Sequence, residues 1–209
     1  MYKVVKRFAG PAVLLALTSA TAAPIVDQVS PFDPSPSFSL AIGGQSDQVL
    51  AQVVTAGVSG TLVGVNLPLL GSSGVLTLEL QGVTNGLPNG TSLLFEPFAG
   101  AAIPAPGTDG FRELTFLSPV AFSAGDMFAF VLRSPNSFGI NPTLPGDPYG
   151  GGSAFFDSRP NPPGVWVPLS RSDDLAFQTV VDPVPEPSSL VFLIIGLGAL
   201  FAASAKSGR

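Results

Sequence analysis

Val75-Leu76-Thr77-Leu78-Glu79-Leu80-Gln81 decides how the chain is read. Leu76, Leu78 and Leu80 alternate with Thr77, Glu79 and Gln81, so an extended strand here has one core face and one wet face. Upstream, Gln48 to Thr55 and Thr61 to Leu67 are β-branched runs separated by Ala56-Gly57-Val58-Ser59-Gly60, and Val63, Val65 and Leu67 alternate with Gly64 and Asn66. Downstream, Asn85-Gly86 and Asn89-Gly90 mark a glycine-dependent loop. After it, Thr91 to Phe95, Phe111 to Leu117 and Met127 to Leu132 read as strands, with Ser123-Ala124-Gly125-Asp126 as a turn. Ser134 to Gly152 reads as one long irregular stretch with four prolines, and short strands resume at Ala154 to Phe156, Val165 to Val167 and Leu175 to Val181. Many short strands with turn signals between them, and no amphipathic helix, predict an all-β fold, an antiparallel β-sandwich.

Composition narrows the chemistry. The chain has no cysteine and no histidine. Disulfides, a Ser-His-Asp triad, a cysteine nucleophile and zinc sites built on His or Cys are therefore excluded. Oxygen ligation of a hard cation and carboxylate-pair hydrolysis remain. Between the two ends the cations are Arg112, Arg133, Arg159 and Arg171, against 14 acids from Asp27 to Glu186, a balance near −10. Such a surface repels nucleic acid and anionic lipid.

Both ends read as targeting segments. Lys3, Lys6 and Arg7, the apolar Ala12 to Leu17, and Ala20-Thr21-Ala22 have the order of a secretory signal peptide over residues 1–22, with Ala20 and Ala22 as the small residues of its cleavage site. Residues 23–37, rich in Pro, Asp and Ser, read as an irregular lead-in to a β-sandwich over 38–182. The other end runs Val184-Pro185-Glu186-Pro187, then an apolar stretch taken as a short transmembrane helix over 188–205, then a basic tail over 206–209 with Lys206 and Arg209. Two prolines hold Glu186 in an extended segment that lacks two backbone donors, a shape fit to be read by another protein.

These C-terminal residues resemble the PEP-CTERM sorting signal, in which a Pro-Glu-Pro motif, a short transmembrane helix and a basic tail direct a secreted bacterial protein to a membrane-embedded exosortase. The resemblance implies an exported protein, held in the membrane at least until processing, with an exosortase-type enzyme as partner and a place at the cell surface or in the extracellular matrix. It also implies association with exopolysaccharide or biofilm. The strand pattern from Phe38 to Val181 looks like the jelly-roll or immunoglobulin-like modules found upstream of such signals; it is carried by Gln52-Val53-Val54-Thr55, Leu114-Thr115-Phe116, Tyr149-Gly150-Gly151-Gly152-Ser153 and Asp174-Leu175-Ala176-Phe177-Gln178.

Three candidate sites follow from residue chemistry. Asp147-Pro148-Tyr149 joins a carboxylate to an aromatic ring on a loop, and Trp166 with Asp157 and Asn161 offers a second platform. Rings flanked by polar groups are how open clefts hold sugars. The competing reading is that both rings cap the sandwich core. Asp173-Asp174 beside Asp157 has the oxygens a calcium ion needs, though no Ca-loop spacing is present and a solvated charged turn is the simpler reading. Glu79, Glu96 and Glu113 lie on or next to strands, where an outward polar face explains them more simply than a glycosidase pair. The expectation is a non-catalytic protein with no cofactor and no metal; a lectin-like module is the alternative, and a carboxylate-based glycoside-active enzyme a more distant one.

Overall fold

The structure, a computed structural model, describes residues 23–35, 38–71, 73–158, 161–169 and 174–184. Ala20, Ala22 and the rest of the expected signal peptide lie outside the described residues, as do Pro185, Glu186, Pro187, the expected span and the basic tail. Among the described residues no helix is long and apolar enough to cross a membrane.

Thirteen strands are described: β1 (Ile25–Ser30), β2 (Leu40–Gly43), β3 (Val49–Thr55), β4 (Gly60–Leu67), β5 (Leu69–Leu70), β6 (Val75–Thr84), β7 (Leu87–Ala99), β8 (Arg112–Phe122), β9 (Met127–Arg133), β10 (Ser137–Ile140), β11 (Ala154–Asp157), β12 (Val167–Pro168) and β13 (Phe177–Pro183). They form a four-stranded sheet in the order β1-β13-β4-β8 and a six-stranded sheet in the order β12-β11-β3-β9-β6-β7. A small sheet, β2-β10-β5, completes the set. Every described pairing is antiparallel. The chain crosses between the two large sheets again and again: β1, β4, β8 and β13 belong to one, and β3, β6, β7 and β9 to the other.

The two large sheets share one core. Leu62, Val65, Leu67, Leu114, Phe116 and Phe177 from the four-stranded sheet meet Leu50, Val54, Leu76, Leu78, Leu80, Phe128, Phe130 and Leu132 from the six-stranded one. Phe130 and Phe177 contact edge to face across the gap, with ring centroids 5.4 Å apart. The small sheet adds Ile42, Leu69, Phe138 and Ile140.

Several expectations are corrected. The irregular lead-in contains β1, which pairs with β13 from Ile25↔Val181 to Ser30↔Phe177, because Ile25, Val26 and Val29 find an unfilled sheet edge that lies far off in sequence. The long stretch Ser134 to Gly152 contains β10. Asn85-Gly86 forms a two-residue hairpin turn with φ of 53° and 75°, but Asn89-Gly90 lies inside β7, where the register shifts. In β4 a bulge falls between Leu62 and Gly64, so the core face is Leu62, Val65 and Leu67, while Val63 lines a depression on the outside.

The outer face of the six-stranded sheet also departs from the expected wet surface. Glu79 and Gln81 are buried, and Ala51, Val53, Ala129, Val131 and Phe155 form a second apolar cluster against which Val49, Val83 and Trp166 pack. Small residues on the central strands let the larger side chains at the margins close over them.

Candidate functional site

The residues singled out as a sugar platform are brought to different places. Tyr149 is 5% exposed and belongs to the core between the sheets, its ring edge to face with Phe177 at 5.0 Å. Its hydroxyl donates to the Thr55 carbonyl at 3.2 Å and accepts from the Thr55 N–H at 3.0 Å. Burial pushes the phenol pKa upward, the hydrogen bond to Thr55 works against that, and the charges of Asp27 and Asp174 add to the rise. No ring face is left open for a pyranose, so Tyr149 is a core residue and not a platform. Trp166 is half-buried and packs with the cluster on the opposite face of the six-stranded sheet. The two rings cannot serve one ligand.

Asp147 is exposed, and it raises the pKa of Asp174, a carboxylate expected to join Asp157 instead. Asp174 has no exposed surface. Its Oδ1 accepts from Gln52 Nε2 at 2.8 Å and its Oδ2 from the Tyr149 N–H at 3.0 Å, while Gln52 Oε1 accepts from the Leu175 N–H at 2.7 Å. Burial is the main reason the Asp174 carboxyl is raised to about 6; the bonds from Gln52 and Tyr149 oppose it and Asp147 reinforces it. This network ties the segment just before β13 to β3.

The acids considered for calcium do not converge. Asp157 stands opposite Val49 on the outer side of β11, where its Oδ2 accepts from the Gly164 N–H at 2.6 Å. Asp174 binds Gln52, which points inward next to Phe130. Asp173 lies outside the described residues, and among those described no group of three or more Asp, Glu, His or Cys is placed to hold a metal ion.

The three glutamates differ sharply. Glu79 is buried on the outer side of β6, 3.5 Å from Arg133 Nε. Glu96 is buried too, and both its oxygens accept the Leu117 N–H at 3.0 Å, which fastens β7 to a four-residue bulge in β8. Glu113 is exposed and has no hydrogen bond or ion pair among the described residues. It stands where three open depressions meet, of about 320, 290 and 240 Å³.

Those depressions lie along β8 and the outer face of the four-stranded sheet. Register brings Glu113, Asn66 and Gln178 side by side across β8, β4 and β13, and sets Thr115, Gly64 and Val180 in the next row. Asn66 Nδ2 donates to Gln178 Oε1 at 3.0 Å, and Gln178 Nε2 donates to Asp109 Oδ2 at 3.2 Å. Gly64 forms the floor, since a Cβ there would stand 2.7 Å from the Leu114 carbonyl oxygen. The segment from Ala99 to Asp109 makes the wall with Ile103 and Pro104. Arg112 holds that wall, donating to the Leu69 and Pro104 carbonyls at 3.1 Å each. Glu113 was legible as an outward charge; the neighbours that make it a site come from non-local register.

The exit of the domain is equally defined. β13 ends at Pro183 beside Gly60, and the Val184 N–H donates to the Ser59 carbonyl at 3.1 Å, leaving a mostly exposed Val184 side chain. The chain is thus an all-β, sandwich-like domain whose last strand leads directly into a proline-bounded segment. Residues 183–209 match the family described as the PEP-CTERM protein-sorting motif. That motif implies export, a membrane-anchored C-terminal sorting signal and processing by an exosortase. No curated protein matches the chain.

Proposed function

We propose that this is a non-catalytic component of the cell surface or extracellular matrix that associates with exopolysaccharide, exported through the N-terminal segment 1–22 and released from its C-terminal anchor by an exosortase. The observation that carries this reading is the sorting motif at residues 183–209, which begins where the last described strand of the β-rich region ends. The strand order β1-β13-β4-β8 against β3-β9-β6-β7, with the chain alternating between the sheets, supports the jelly roll over the immunoglobulin-like alternative as the finer fold. A net acidic, lysine-free body suits a solvated extracellular domain.

The test is the mass of the protein recovered from its native envelope, wild type and with Glu186→Ala or Pro187→Ala. Wild type is expected to start after Ala22 and to lack its apolar tail. The variants are expected to keep the tail, because Glu186→Ala removes the motif's one charge and Pro187→Ala restores a donor and lets a following helix extend backwards. Normal processing of both variants would reduce this ending to a plain anchor. Absence of the wild-type protein from the polysaccharide fraction would remove the matrix role.

A further inference from the structure

We infer that the groove centred on Glu113, on the outer face of the four-stranded sheet, is a binding site for a neutral polysaccharide chain. This rests on the matrix reading above and gives it a location. The groove offers hydrogen-bond acceptors that the fold leaves unspent. Asp109 can only accept, so Gln178 must turn Nε2 toward it and Oε1 toward Asn66; Asn66 must then turn Nδ2 toward Gln178, which leaves Asn66 Oδ1 free. Glu113 adds a carboxylate with no partner among the described residues, and Thr115 a hydroxyl.

An occupant must therefore bring donors. It must not be anionic, because the groove's charges are carboxylates and Arg112 is already committed to two carbonyls. Sugar hydroxyls are such donors, and the C–H surfaces of the rings match the apolar wall of Pro104, Val63 and Val180. The shape agrees. Three open depressions, each near or below the roughly 300 Å³ lower end for a small-molecule pocket, share Glu113 and suit several residues of a chain better than one enclosed ligand.

The experiment uses the protein purified from its host envelope, titrated with neutral cello-, malto- and manno-hexasaccharides and, for comparison, an anionic alginate hexasaccharide. At least one neutral hexasaccharide is expected to bind and alginate is not. Glu113→Ala, which lies on an exposed position, is expected to weaken binding about tenfold or more, since it removes a charged acceptor. Thr115→Arg, which fills the groove and can pair with Glu113, is expected to abolish binding, and both variants should melt within about 3 °C of wild type. No binding of any neutral hexasaccharide, stronger binding of alginate, or binding untouched by both variants would overturn the site. Cofractionation with matrix that persists in both variants would sink the groove and leave the matrix reading standing; release of reducing ends from a bound hexasaccharide would overturn the non-catalytic reading.

Discussion

Two regions of this domain carry the same kinds of groups and use them in opposite ways. Around Asp174, the aromatic ring, carboxylate and amide of Tyr149, Asp174 and Gln52 are buried and bonded to one another or to backbone. Around Glu113, the carboxylate and an amide oxygen of Asn66 face a groove with their bonding capacity unspent. Residue type alone does not separate a binding surface from a structural joint; the separation lies in whether the fold has already satisfied the polar atoms.

The comparison breaks most readily at Tyr149. Replacing Tyr149 with Ala should cost about 3 to 5 kcal/mol in denaturant unfolding, as for other buried aromatics, and a loss below about 1 kcal/mol would show that the ring is not a core element. The next effect is one of pH. The Asp174 carboxyl is raised from an ordinary 3.8 to about 6 in the folded state, so its contribution to stability is fully present below the ordinary value and is lost as pH rises through about 6. A fall of up to about 3 kcal/mol is the ceiling for this group. Unfolding measured from pH 4 to 8 should show that decline in wild type and a flatter profile in Asp174→Asn; the same slope in both would assign the effect elsewhere.

Smaller still is Trp166→Ala, which uncovers part of the outer cluster and should cost about 1 to 2 kcal/mol in thermal unfolding, less than a fully buried ring. The smallest is Glu113→Ala, expected to change unfolding free energy by no more than about 0.5 kcal/mol, as for an exposed position without partners. A large loss there would make Glu113 a structural residue and erase the contrast.

What was legible in the sequence follows the range of the determining contacts. The sorting motif is local and contiguous, and Pro185-Glu186-Pro187 could be read without any fold. The alternation of Leu76, Leu78 and Leu80 gave β6 and its buried face, and the β-branched runs gave β3 and β4 to within a residue. The other face of β6 could not be read the same way: Thr77, Glu79 and Gln81 look wet, but Glu79 and Gln81 are buried because of what stands beside them on β9 and β7. β1 is not legible locally because Asp27-Gln28 interrupts its apolar pattern and its partner lies at the far end of the chain. Tyr149 sits in a loop of Gly and Pro that signals exposure, and only Phe177 and Thr55, distant in sequence, draw its ring inward. The groove is the least visible of all, since Glu113, Asn66 and Gln178 become neighbours only through the register of three strands.

That same register sets an order of events during export. β13 is the last described strand in the chain, yet it lies in the interior of its sheet, between β1 and β4. Ile25, near one end, and Val181, near the other, must meet before the sheet is whole. A chain that leaves N terminus first, as the proposed export through segment 1–22 requires, can close this sheet only after residue 183 has emerged, and the sorting motif follows at once. Completion of the fold and presentation of the address are then adjacent steps, so a chain truncated before β13 would lack both the keystone of its sheet and the label by which it is sorted.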